Sequence, residues 1–148
     1  IRDHVAPLGA VYQAGTLSGN PVAMRAGIAQ LSQCLRKDFY NDLSEKTTYL
    51  VNGVQKANTF PLFKMFSMGS IFWIAFTERD NIKTAEDIDA DSMRYFRQLY
   101  HSLLKKGVYL GPSGYEVGFI SAAHSRDDLD KTIHAFRHAL SELKASKE

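Results

Sequence analysis

The sequence predicts an α+β fold in which a mostly antiparallel sheet carries helices on one face. Three observations point there. The apolar pattern switches between helix-length stripes and short apolar runs in the order helix, helix, strand, strand, helix, strand, strand, helix. Two of the short runs are neighbours separated by a Met68-Gly69 turn region. At 148 residues and 45% hydrophobic, the chain is long enough for one domain with a real core.

Residues 1–19 contain Pro7, Gly9, Gly15 and Gly19 and no helical periodicity, so they read as an extended lead-in or loop. Asn20-Pro21 starts the first helix: Asn accepts a backbone N–H as N-cap, and Pro at the first helical position loses only a donor that would be unpaired anyway. That helix runs to about Leu35. Val22, Ala23, Ala26, Gly27, Ile28 and Ala29 make it small or apolar on most sides, which predicts close packing against other protein. A second helix spans Asp38 to Ala57, with Phe39, Leu43, Thr47, Leu50 and Val54 on one stripe. Strands follow at Phe60 to Phe66 and Ser70 to Thr77. The second does not alternate, which predicts cover on both faces.

The third helix begins at Asp89 or Asp91 and places Met93, Phe96, Tyr100 and Leu103 on one face. Lys105, Lys106 and Gly107 supply a positive last turn and a stop. Short strands are expected at Val108-Tyr109-Leu110 and at about Gly118 to Ala122, with the loop Gly111-Pro112-Ser113-Gly114 between them. Ser125, with Asp128 three residues on, opens the last helix, whose buried stripe is Leu129, Ile133, Phe136, Leu140 and Leu143.

Composition narrows the function classes. The 18 Lys+Arg stand against 16 Asp+Glu without clustering, which argues against a dedicated nucleic-acid binder. The 9 Phe, 7 Tyr and 1 Trp argue against disorder over any long stretch. One cysteine, Cys34, excludes an internal disulfide and suits a reducing, cytoplasmic setting. The longest apolar run, Ile71 to Phe76, is too short to cross a bilayer, and the polar opening Ile1-Arg2-Asp3-His4 lacks the pattern of a secretion signal. The chain begins without Met, in mid-pattern, as a piece of a longer polypeptide would.

The most informative stretch is Tyr12-Gln13-Ala14-Gly15-Thr16-Leu17-Ser18-Gly19-Asn20-Pro21. Its glycines allow close backbone approach to a ligand, Thr16 and Ser18 offer hydroxyls, and it ends at a helix N-terminus whose free N–H groups and dipole favour a phosphate. A capped turn with no ligand would carry the same residues, and the stretch is neither a P-loop nor a dinucleotide fingerprint.

These residues resemble the signature of the glutamate-1-semialdehyde aminomutase family, pyridoxal-phosphate enzymes of fold type I related to the class III aminotransferases. Residues 107–124 are similar to a second block of that family, and Gly69-Ser70 with the aromatic strand after it to a third, in family order. The resemblance implies the small C-terminal domain of such an enzyme, with residues 1–19 as a lead-in from the cofactor domain and residues 20–148 as a linking helix and α+β domain. It implies pyridoxal 5′-phosphate as cofactor, with its phosphate held by Gly15 and Thr16, and a homodimer in which that turn reaches the partner subunit's site. Tyr12 would line the shared site, and Glu116 would stand near the substrate entrance against the substrate or a mobile lid. The implied reaction isomerises the small molecule glutamate-1-semialdehyde to 5-aminolevulinate for tetrapyrrole synthesis, with no metal, nucleic-acid or membrane partner.

In the family, the lysine that anchors the cofactor lies upstream of the phosphate threonine, whereas the first lysine here is Lys37. The resemblance therefore implies a C-terminal part that is inactive alone and does not itself retain the cofactor. Two other readings stay open. Another class III aminotransferase would lack the Leu17-Ser18-Gly19-Asn20-Pro21 run, and a non-catalytic α+β interaction domain would lack a lysine-bearing cofactor domain upstream.

The remaining polar residues have plainer readings. His124 suits a structural hydrogen bond better than proton transfer, because no nucleophile and carboxylate accompany it. His134 and His138, four apart on a helix, have metal-binding spacing but no third ligand, and His101 stands alone. Cys34 reads as a small buried apolar residue, and Lys144 to Glu148 as a frayed tail.

Overall fold

A computed structural model describes residues 1–145 of the chain. The chain divides into two compact units after Phe39.

The first unit opens with a 3-10 turn, Arg2–His4, and then closes a small loop. Val5 and Val11 form an isolated bridge, Ala6 N–H donates to the Val11 carbonyl at 2.9 Å, and Val11 N–H donates to His4 at 2.9 Å. Helix α1, Pro21–Cys34, follows with Asn20 as its cap. Its apolar residues spread around the helix instead of forming one stripe, and none is buried. Within this chain Val22, Met24, Ile28 and Leu31 are all exposed, so the face predicted to pack against other protein is left uncovered by the described residues. Cys34, expected to be buried, is only half-buried, and its thiol donates to the Gln30 carbonyl one turn back.

The second unit holds α2, Phe39–Ala57, which begins one residue before the division, then β1, Phe63–Met68, and β2, Ile71–Phe76. It continues with α3, Ser92–Lys105, β3, Gly118–Phe119, and α4, Arg126–Ala145. The strands form one antiparallel sheet in the order β1-β2-β3. The α+β prediction with an antiparallel sheet and helices on one face describes this unit. The β1–β2 register pairs Met68 with Ile71, leaving Gly69 and Ser70 as a two-residue turn. Gly69 adopts φ 59, the left-handed geometry that hairpin turns place at this position.

The helices cover one sheet face. Phe63, Met65, Phe72, Ile74 and Phe76 pack there with Leu50, Val51 and Val54 of α2, with Tyr95, Phe96, Leu99 and Leu103 of α3, and with Leu129, Phe136, Leu140 and Leu143 of α4. Each of these large side chains removed from water contributes about 1.5–3 kcal/mol before chain entropy is subtracted. The opposite face carries Phe66, Ile71 and Trp73, all half-buried. The expectation of cover on both faces thus holds for the C-terminal half of β2, where Ile74, Ala75 and Phe76 are all buried, and fails at Ile71 and Trp73.

Other boundaries shift for local reasons. Phe60 belongs to a turn, its N–H held by Asn58 Oδ1 at 2.9 Å, so β1 starts at Phe63 and not at Phe60. Val108 to Leu110 form no strand. The N–H groups of Gly107 and Val108 donate to Leu104 and Leu103, closing α3 in a Schellman motif with Gly107 at φ 81. On α3 the buried face runs through Tyr95, Phe96, Leu99 and Leu103, while Met93 and Tyr100 stay half-buried. Strand β3, expected over about five residues, pairs only at Gly118 and Phe119. Lys144 and Ala145 belong to α4, not to a tail, and the rest of the predicted tail lies outside the described residues.

Because β3 is so short, the outer edge of β2 needs another partner. Ser92, 1% exposed at the start of α3, supplies it: its Oγ accepts the Phe76 N–H at 3.2 Å. No buried side-chain polar atom lacks a partner among the described residues.

Candidate functional site

The predicted site residues fall in two places. Tyr12, Gly15 and Thr16 lie on the first unit's lead-in, and Glu116 lies in a loop of the second.

In the lead-in, the stretch from Gly15 to Asn20 is a double turn: Ser18 N–H donates to the Gly15 carbonyl at 3.0 Å, and Asn20 N–H donates to Leu17 at 3.1 Å. The Ser18 hydroxyl packs over Gly15, so a Cβ there would overlap it and the hydroxyl would have to turn away. Asn20 Oδ1 accepts from Val22 N–H at 3.0 Å and Ala23 N–H at 3.2 Å, and Pro21 has no N–H. The first-turn donors of α1, expected to be free for an anion, are therefore already taken. What stays open is the turn itself. Among the described residues, no backbone carbonyl accepts from the N–H groups of Thr16 and Leu17, and the Thr16 side chain is exposed. Tyr12 is 83% exposed three residues before Gly15. This unit thus presents two amides and a hydroxyl on adjacent residues, with the positive end of the α1 dipole behind them.

Glu116 stands in the loop that joins α3 to β3. Its N–H donates to the Ser113 carbonyl at 3.0 Å, and Tyr115 N–H donates to Ser113 Oγ at 3.3 Å, so Ser113 closes a tight turn. The exposed Glu116 side chain folds back over Gly111, where a Cβ would overlap its carboxylate. At the far end of the loop, Lys46 of α2 donates to the Ala122 and His124 carbonyls at 2.9 and 2.7 Å. His124 Nδ1 accepts the Ser121 N–H at 2.9 Å, the structural bond expected of it. The capping box predicted at Ser125 and Asp128 then starts α4. The Ser125 hydroxyl, followed by its N–H, holds the Asp128 carboxyl below its ordinary range.

Sequence reasoning missed two contributors to this second place: Trp73, whose Nε1–H donates to the Gly114 carbonyl, and Lys46. An indole N–H in mid-strand needs an acceptor, and that requirement was the available signal for Trp73. Nothing local marks Lys46, whose partners are more than seventy residues away. Among the described residues, no group of three His, Cys, Asp or Glu could hold a metal ion, and no helix is long and apolar enough to cross a membrane.

Comparison with known proteins adds what geometry cannot. No family model matches the chain. The glutamate-1-semialdehyde 2,1-aminomutase of Psychrobacter sp. (strain PRwf-1) is 42% identical to it over 99% of its length. The chain is similar, almost end to end, to one stretch of that aminomutase. It spans about a third of the aminomutase's length, 35%. Solved structures carry the same fold at lower identity. An omega-transaminase from Sphaerobacter thermophilus matches 90% of this chain with TM-score 0.73 and 21% identity, over 30% of its own length. A beta-phenylalanine aminotransferase from Variovorax paradoxus matches 93% with TM-score 0.69 and 22% identity, over 32% of its own length. The aminomutase likeness covers the Gly15–Thr16 turn and the Glu116 loop together, since it leaves out almost none of the chain.

Proposed function

We propose that this chain is the C-terminal part of a pyridoxal-phosphate-dependent glutamate-1-semialdehyde 2,1-aminomutase. The whole enzyme would isomerise glutamate-1-semialdehyde to 5-aminolevulinate, as a cytoplasmic homodimer serving tetrapyrrole synthesis. The observation that carries the reading is 42% identity to an aminomutase across 99% of the chain.

The open turn fits the phosphate of the cofactor. Its donors are neutral and adjacent, Gly15 leaves no side chain in the way, and Asn20 has already satisfied the helix behind it. When bound, pyridoxal phosphate supplies the electron sink that lets an amino group leave one carbon and join its neighbour. The chain's own residues bind and orient. Thr16 Oγ1 and the amides of Thr16 and Leu17 would hold the cofactor's phosphate by donating to it. Tyr12 lines the shared site, and Glu116 sets a negative charge at the substrate entrance.

No lysine here is proposed as the cofactor's anchor. Lys46 is committed to two carbonyls, Lys64 to Asp80 and Lys106 to Glu142. As the family resemblance implies, the reading has the anchor in the part of the enzyme upstream, and residues 1–148 inactive alone.

The test is a substrate assay on the complete gene product loaded with cofactor. Formation of 5-aminolevulinate from the semialdehyde, with no external amino donor, is the expected result. Amino transfer from an external amino acid to a keto acid, without isomerisation, would assign the chain to another class III aminotransferase, the alternative that the transaminase-like fold favours.

A further inference from the structure

The loop that carries Glu116 is pinned by a residue with no part in the reading above. Trp73, the one tryptophan of the chain, sits in the middle of β2 on the sheet face away from the helices. Its ring stacks on Phe66, the residue paired with it across the hairpin, with centroids 5.8 Å apart and an interplanar angle of 25°. Its Nε1–H donates to the Gly114 carbonyl at 2.8 Å, a bond that spans 41 residues of sequence. Gly114 is itself buried and tight against α3: a Cβ there would lie 2.7 Å from Met93 Cε and 3.0 Å from Phe96 Cγ.

The middle of the loop is thus fixed by the outer face of the sheet and by the first turn of α3. Only one residue separates Gly114 from Glu116, and the Ser113 turn locks the backbone between them. The place of the Glu116 carboxylate follows from a backbone anchored at Gly114. A half-buried indole is an economical anchor. The ring contributes stacking area, and the N–H supplies the donor that a loop carbonyl against a sheet face would otherwise lack.

We propose that Trp73 is the positioning residue for Glu116, its indole latching residues 111–116 onto the sheet so that the carboxylate is held toward the substrate. The proposal rests on the reading of Glu116 as a residue of the substrate entrance.

Three variants test it. In this chain, Trp73→Phe keeps a ring against Phe66 and deletes the donor. Amide exchange at Glu116 then rises about fivefold, the change one net hydrogen bond makes to a local opening, while Met65 and Ile74 in the hairpin keep their protection. Gly114→Ala pushes the loop off Met93 and releases the indole, so the single indole N–H resonance loses its hydrogen-bonded shift and exchanges faster with water. In the complete enzyme, Trp73→Phe lowers kcat/KM several-fold in the native background and has no further effect once Glu116→Gln is present. The proposal is overturned by unchanged exchange at Glu116, by exchange that rises equally throughout the hairpin, or by additive kinetics. A kinetically silent Glu116→Gln would instead overturn the substrate-entrance reading, and the exchange measurement would then decide the latch by itself.

Discussion

Gly111→Ala separates the position of a carboxylate from the stability of the domain. Gly111 is not in the left-handed region, so its backbone accepts alanine without strain, and the lost chain freedom in the unfolded state favours the variant by about 0.4–1 kcal/mol. Against this, the new Cβ overlaps a Glu116 carboxylate oxygen and lies 3.0 Å from its Cδ and Cβ. Ordinary carbon contacts begin at about 3.5 Å, so the carboxylate must swing by the better part of an ångström or more and the loop at the Glu116 Cβ must give by about half an ångström. Moving an exposed side chain off its rotamer costs about 0.5–1.5 kcal/mol, which nearly cancels the gain. Net stability changes by less than about 1 kcal/mol, while a reacting or orienting group displaced by this much costs up to about a hundredfold in rate. Thermal unfolding of the variant, paired with kcat/KM for semialdehyde isomerisation by the complete enzyme, reads both quantities. Native-like unfolding with a rate loss of tenfold or more, a threshold within about two decades of the native rate, is expected. Full activity would refute the placement of Glu116, and a rate loss matched by a collapse in unfolding temperature would refute the claim that the displacement stays local to Glu116.

Two further outcomes follow from the fold. Ser92→Ala removes the acceptor of the buried Phe76 N–H, and should cost about 1–3 kcal/mol in urea unfolding; a change near zero would show that the edge of β2 does not need it. Ser125→Ala removes the hydroxyl that most lowers the Asp128 carboxyl, so that group's titration, followed by NMR, should move up toward its ordinary value of 3.8. Because the folded carboxyl titrates below the unfolded one, its stabilising contribution is present above about pH 4 and fades as pH falls through the lowered value. The variant should therefore lose part of this acid-side dependence, and an unchanged titration of Asp128 would contradict the cap.

Features governed by nearby residues were legible in the sequence. The Asn20 cap, the Ser125 and Asp128 box, the stop at Gly107 and the stripes of α2 and α4 each depend on neighbours within about one helical turn. Features that depend on distant partners were not. Tyr95 faces inward because Phe60 and Phe76 offer it rings at 5.2 and 5.5 Å, and neither lies on α3. Val108 reads as the start of a strand until the helix end claims its N–H. Within the site, Gly15 and Thr16 could be singled out as a turn, but not the fact that Asn20 uses the helix amides and leaves the turn's own amides open. The approach of Gly111 to Glu116 and the bond from Trp73 to Gly114 are side-chain events across a loop and a sheet, with no periodicity to announce them.

The claim on which the function depends is that the turn at Gly15 and Thr16 grips the phosphate of pyridoxal phosphate in the assembled enzyme. The direct measurement is the cofactor dissociation constant of the complete enzyme carrying Thr16→Val, which keeps the shape of the side chain and removes its donor, with Thr16→Ser as the control that restores it. Loss of one hydrogen bond to a charged oxygen predicts affinity weaker by about 10- to 150-fold for valine, with serine close to native. Native affinity in the valine variant would contradict the assignment.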